Sequence, residues 1–233
     1  MREERHTLFP CCAACDLARA KRVCLSAEGT GSKGCPTLAE KDTLIESNQE
    51  YEAPEVREFA RQASIQEGEC YANRDQRPYV LQPAKTRMTE ICEFAQKMGY
   101  QRLGLAFCAG PTNEASVVGD ILKAYGFEVV SVVCKAGRTP KEEIGIRDEE
   151  KVFRGNEEAM CNPIYQARLL NKKKTEFNIL LGLCVGHDSL FFKYAEAPNT
   201  VLAVKDRVTG HNPLAAIYLT DSYYAKIKKP ELV

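Results

Sequence analysis

From Thr86 onward the sequence alternates short apolar runs with amphipathic stretches, and this alternation restricts the fold more than any other feature. Leu103–Phe107, Phe127–Val133, Phe177–Leu183 and Thr200–Val204 have the length and composition of strands. Ahead of the first run, Thr86 is placed to cap a helix. Its Met88, Ile91, Cys92, Ala95 and Met98 recur at helical spacing, and Gly99 ends it. Thr112–Tyr125 reads as a second helix with Ala115, Val118, Ile121 and Leu122 inward and Gly126 as the stop. Asn162-Pro163 pairs a capping Asn with a first-turn Pro to open another helix, and Asn212-Pro213 starts a last helix through Leu219. Such repetition predicts an α/β domain: a mostly parallel open sheet with helices on both faces.

Composition divides the chain into three zones. Residues 1–38 form a Cys-rich module with little that could build a core. Residues 39–85 are a polar, helix-prone connector, with Pro54 leading into Glu55-Val56-Arg57-Glu58-Phe59-Ala60 and a closing loop marked by Pro78 and Pro83. Residues 86–233 hold the α/β pattern. Lys+Arg and Asp+Glu both total 32, so there is no basic excess to displace counterions from nucleic acid. The runs Lys172-Lys173-Lys174 and Lys226–Lys229 are too short to change that. No apolar stretch reaches membrane-span length, the longest being Phe177–Val185, and Met1–His6 leads into no signal segment. The expectation is a soluble cytoplasmic protein that binds neither nucleic acid nor membrane.

The eleven cysteines stand out against three His and no Trp. An odd count in a long chain with no apparent signal segment points to metal binding or thiol chemistry rather than a disulfide framework. Cys12-x2-Cys15 can chelate one ion from a tight turn, with Cys24 and Cys35 in loop reach. Cys35-Pro36 is like the pair that closes the cysteine run of bacterial ferredoxins, while the spread second pair is unlike a zinc ribbon. Cys11 competes with Cys12 for the first ligand position. A coreless segment of this size needs such a staple to fold. Gly29-Thr30-Gly31-Ser32-Lys33-Gly34 formally matches G-x-G-x-x-G, but it neither follows a strand nor opens a helix, so it reads as a loop between ligands.

Four more cysteines recur at one structural position. Cys108, Cys134 and Cys184 each directly follow a strand run, and Cys161 directly precedes a helix start. Strand carboxyl ends and helix amino ends share one edge of an open parallel sheet, where ligands bind, so these thiols are expected to line one crevice. Helix amino ends carry partial positive charge and favour thiolates. His187, Asp188, Asp206 and His211 fall at the same edge and are the candidate catalytic groups. Cys92 lies on an apolar helix stripe and reads as packing, and Cys70 has no evident partner. The long charged connection from Lys135 to Met160 is expected to be a binding loop or a lid.

On these residues the chain resembles a family of uncharacterised cysteine-rich metal-binding proteins of archaea and anaerobic bacteria. The resemblance rests on Thr86-Arg87, Gly104-Leu105-Ala106-Phe107-Cys108, Val130-Ser131-Val132-Val133-Cys134-Lys135 and Met160-Cys161-Asn162-Pro163. It continues through Gly182-Leu183-Cys184-Val185-Gly186-His187-Asp188-Ser189, Val204-Lys205-Asp206-Arg207 and Gly210-His211-Asn212-Pro213. It covers the α/β domain and, more loosely, the N-terminal module to Cys35-Pro36. The adjacent Cys11-Cys12 pair and an apparent insertion at Ala72–Ala84 depart from it. The resemblance implies metal binding and no particular reaction.

The sequence thus predicts a metalloprotein with two sites. Cys12, Cys15, Cys24 and Cys35 form an N-terminal one, structural or electron-relaying. Cys108, Cys134, Cys161 and Cys184 form a crevice one with a redox or small-substrate role. All-thiolate ligation favours an iron–sulfur cluster of the 4Fe–4S type in the crevice; Zn2+ in a structural or sensor role is the alternative. A redox partner or a small-molecule substrate is the expected partner. A metal-free thiol redox enzyme, with the four crevice cysteines as nucleophile and resolving partners and His187 as base, is the third reading.

Overall fold

A computed structural model describes residues 9–229 and 231. Met1–His6, where no signal segment is expected, lies outside them. The chain divides into two compact units, residues 1–65 and 66–233.

In the first unit, two single-turn 3-10 segments, Cys12–Ala14 and Arg19–Lys21, precede the helices α1 (Pro36–Ala39), α2 (Lys41–Glu50) and the beginning of α3 (Pro54–Glu69). None of residues 9–39 is fully buried, so local polar contacts set the shape of the cysteine segment. Val23 N–H donates to Thr30 O at 2.9 Å and Thr30 N–H to Lys21 O at 2.8 Å, closing a loop around Gly29. A Cβ at Gly29 would stand 2.5 Å from the Arg22 backbone, which restricts that position to glycine. The Arg22 guanidinium then donates to Leu17 O at 2.8 Å and Cys15 O at 3.1 Å, tying the first cysteine turn to this loop.

The second unit contains α4 (Arg87–Lys97), β1 (Arg102–Phe107), α5 (Thr112–Ala124), β2 (Glu128–Val133), α6 (Pro163–Lys172), β3 (Phe177–Leu183), α7 (His187–Tyr194), β4 (Asn199–Val204) and α8 (Pro213–Tyr218). All strands are parallel, in the order β2-β1-β3-β4. The chain goes outward from β1 to β2, then crosses back to β3 on the other side of β1. With right-handed crossovers this puts α5 on one face and α6 and α7 on the other. α5 packs against β1 and β2, and α6 and α7 pack on each other and on the opposite side of the sheet. The core follows: Leu103, Leu105, Leu122, Leu170, Ile179, Leu180 and Phe191 are all fully buried. Each such side chain contributes about 1.5–3 kcal/mol by leaving water. No helix among the described residues is long and apolar enough to cross a membrane.

Two local signals act as read. Thr86 Oγ1 accepts from Thr89 N–H at 3.3 Å, and Asn162 Oδ1 accepts from Tyr165 N–H at 2.9 Å, each capping its helix. Cys70, without a partner in the sequence reading, has one here: its thiol donates to Glu90 Oε1 at 2.8 Å. Burial, then the neighbouring carboxylate, raise its pKa. The segment between β2 and α6 is closed at its neck. Pro140 and Ala159 form an antiparallel bridge, Met160 N–H donates to Thr139 O at 2.8 Å, and Lys141 pairs with Glu158 at 2.8 Å.

A thiol crevice at the switch point of the sheet

The crevice lies where the strand order reverses, between β1 and β3, at their carboxyl ends. The ladders run one residue past the strands. Cys108 N–H donates to Leu181 O at 3.0 Å and Cys134 N–H to Phe107 O at 2.8 Å, so Cys134 stands beside Cys108 on adjacent strands. The closed neck returns the chain to the same place, where Asn162 N–H donates to Cys134 O at 2.8 Å and sets Cys161 against Cys134. Gln166, completely buried one turn into α6, donates from Nε2 to Val132 O at 2.8 Å and Phe107 O at 3.2 Å. It staples the helix to the last residues of both strands. Its Oε1 has no hydrogen-bond partner.

The side chains form a row. Cys134 and Cys161 are in sulfur–sulfur contact at 3.6 Å, Cys108 is hydrogen-bonded to Cys134, and His187 is hydrogen-bonded to Cys161. Cys134 is only 3% exposed, and Cys108 and Cys161 are half-buried. Ala109 N–H points at Cys134 Sγ at 3.4 Å. The Cys134 thiol, flanked by Cys108 and Cys161 and cut off from water, has its pKa pushed up. Cys108 is shifted down, first by the hydrogen bond from Cys134 and then by Gly110 N–H and the Lys205 ammonium. Cys161 is shifted down by Cys134 and next by His187, whose own pKa rises beside it. Cys134 thus sits between two sulfurs, with the Lys205 ammonium near Cys108 at one end of the row and the His187 imidazole beside Cys161 at the other.

Cys184 has a different neighbour: Arg207 Nη2 lies 3.3 Å from its sulfur. It follows an irregularity at Gly182, where β3 slips against β4 and φ is +68°. A Cβ at Gly182 would stand 2.9 Å from Pro111 Cγ and 3.6 Å from His211 Cε1, so the loops after β1 and β4 close over this point. His211 Nδ1 lies 3.0 Å from Val204 O and 3.3 Å from Asp206 N, fixing the ring by backbone contacts. Asp206 accepts from Val208 N–H at 2.9 Å and Thr209 N–H at 3.0 Å, and Asp188 from Ser189 N–H at 2.8 Å. Both carboxylates therefore brace turns. Of the four candidate catalytic groups, His187 is the one joined to the thiol row.

At the N-terminal module, Cys11, Cys12, Cys15, Cys24 and Cys35 all line one cavity of about 420 Å³. Gly31 borders it, and a Cβ there would stand 3.1 Å from Cys35 Sγ. Cys11 faces the same space as Cys12, so the ambiguity between them persists in three dimensions.

Among the described residues no three His, Cys, Asp or Glu side chains close on a common point in ligating geometry; the crevice thiols stand in a row. Of these donors the Cys134–Cys161 pair has the spacing of two ligands on one tetrahedral ion. A Zn–S bond of about 2.3 Å gives a sulfur–sulfur edge of about 3.8 Å, and the Cys134–Cys161 separation is 3.6 Å. In a cubane cluster each thiolate sits on a separate iron at an outer corner, which holds the sulfurs out of mutual contact. Sequence reasoning missed Arg207, Gln166 and the role of Lys205. The available signals were a cationic pair flanking Asp206 at the strand edge and a Gln within an apolar helix stripe beside Ala167 and Leu170.

Comparison with known proteins places the chain in a family. The Uncharacterized protein MJ0455 of Methanocaldococcus jannaschii is 49% identical over 142 residues, covering 61% of this chain and 70% of that protein. A family model described as protein of unknown function (DUF1847) matches residues 35–202, a span that contains β1 through most of β4, the four crevice cysteines and His187. The chain belongs to the DUF1847 family.

Proposed function

We propose that the protein binds metal, and that its crevice holds one thiophilic divalent ion of the zinc type through Cys108, Cys134 and Cys161, with His187 as the fourth donor. The observation that carries this reading is the 3.6 Å contact between Cys134 and Cys161, near the edge of a zinc–thiolate tetrahedron and too close for ligands of separate irons. Turning the row into a cup takes rotations about the cysteine side-chain bonds. Lys205 and Arg207 offset the negative charge of a thiolate centre. Four protein donors make a closed site, which suits a structural, carrier or sensor role. The N-terminal cavity is the second site: its five cysteines and 420 Å³ leave room for a polynuclear iron–sulfur cluster.

The test is metal and sulfide analysis of protein purified anaerobically under reducing conditions, for the parent chain and single alanine variants. Cys108→Ala and Cys161→Ala are expected to lose one zinc-type ion and to keep any iron. Cys184→Ala keeps both. Metal lost equally from Cys184→Ala and Cys161→Ala would restore the four-cysteine set, and iron with sulfide lost from Cys161→Ala would restore the cluster.

A further inference from the structure

The two halves of the 3.6 Å pair differ in access, and that difference has a chemical consequence. Cys161 is half-buried, so a small reagent in the crevice can reach its sulfur. Cys134, 3% exposed, cannot meet such a reagent but lies directly behind Cys161. The Asn162 N–H to Cys134 O bond, 2.8 Å long, holds the two backbones together. We propose that Cys161 and Cys134 are a nucleophile and resolving pair for low-molecular-weight disulfides, and that the exchange switches the crevice between a metal-binding dithiol and a metal-free disulfide. The second half of this statement rests on the metal site proposed above; the first does not.

The exchange balances in two steps. Cys161 thiolate attacks one sulfur of a small disulfide RSSR, forming the mixed disulfide Cys161–S–S–R and releasing one RS−. Cys134, deprotonated as its sulfur attacks Cys161 Sγ, forms the Cys134–Cys161 disulfide and expels the second RS−. The protein loses two electrons, RSSR gains them, and two protons leave with the thiols, or the metal ion leaves in their place when it was bound. Closing from 3.6 Å to a disulfide of about 2.05 Å needs a sulfur displacement of about 1.5 Å, within the reach of side-chain rotation. Cys108 loses its central neighbour in the oxidised state, and two of the four proposed donors are gone.

The experiment treats reduced full-length protein, metal-free and zinc-loaded, with oxidised glutathione, and maps disulfides by peptide mass spectrometry without reduction. A zinc-sensitive dye reads ion release in parallel. The expected result is a Cys134–Cys161 linked peptide in both samples, zinc release in step with linkage, and reversal of both by dithiothreitol. Cys161→Ser should abolish linkage, and Cys184→Ser should leave it intact. Cys134→Ser should stop at the Cys161 glutathione adduct; because Cys134 is buried, Cys161→Ser keeps the test decisive if that variant does not fold. Adducts without linkage in the parent chain, or linkage of Cys134 to Cys108, would overturn the exchange pair. Linkage in a reduced protein that binds no zinc would leave the pair standing and defeat the metal site instead.

Discussion

Gly182 joins three parts of the crevice, which makes Gly182→Ala a quantitative probe of its construction. Two costs apply. The left-handed backbone, φ +68°, costs an alanine about 1–2 kcal/mol. The new methyl group would also stand 2.9 Å from Pro111 Cγ, an overpacking term of about 1–3 kcal/mol. Gly99→Ala separates them, since Gly99 has φ +72° with no atom within 4 Å of its virtual Cβ. At about 2–4 °C per kcal/mol for a unit of this size, the drop in Tm is roughly 10 °C for Gly182→Ala and roughly 5 °C for Gly99→Ala. Thermal unfolding followed by circular dichroism on the reduced protein reads both. Equal shifts in the two variants would refute the steric part of the argument, and an unshifted Gly182→Ala would refute the whole of it.

Other outcomes follow from neighbouring contacts. Gly104→Ala puts a methyl 2.1 Å from Asn178 Oδ1 and displaces an amide bonded to Thr175 at 2.7 Å and Asn199 at 3.0 Å. Overpacking and lost buried hydrogen bonds together cost about 2–5 kcal/mol, measurable by urea unfolding. Gln166→Met withdraws the donor from Phe107 O and Val132 O, lowers stability by about 1–3 kcal/mol and raises the alkylation rate of Cys134; an unchanged rate would show that the staple does not hold the row. Glu158, held below the usual carboxylate range by Lys141, also accepts from Val152 N–H at 3.0 Å. A depressed folded-state pKa means stability present above the ordinary value of about 4.3 and lost as pH falls through the lower, folded one. Hydrogen-exchange protection of residues 139–160 should therefore fall on acidification through that window, and Glu158→Gln should flatten the dependence.

The two central strand runs are legible because a strand covered on both faces has a nearly continuous apolar signature: Phe177–Leu183 has in the structure the bounds the sequence predicts. Helix starts were legible where capping chemistry is local, at Thr86 and Asn162. Helix α7 escaped notice because Phe191 alone is fully buried on it and the polar His187-Asp188-Ser189 start reads as loop. Within the site, position along the chain was informative and side-chain pairing was not. A cysteine after a strand is placed at the sheet edge by topology, yet whether it meets another sulfur or a guanidinium depends on strand order and loop closure. Cys134 and Cys184 occupy equivalent places in the sequence pattern. The former lies between two thiols, whereas the latter meets Arg207, delivered by the loop after β4.

The closed neck between β2 and α6 separates the centre from the excursion that leaves it. Because Thr139, Lys141, Glu158 and Met160 fasten the two ends of that segment to each other, the thiols at its base are insulated from what happens at its tip. Val152 and Phe153 share in that neck through N–H bonds to Glu158 at 3.0 and 3.3 Å, but their side chains are exposed and can be replaced while Cys134 and Cys161 keep their places. The exposed side chains of the excursion are thus the place for an engineer to attach a reporter, with the crevice itself serving as the fixed chassis.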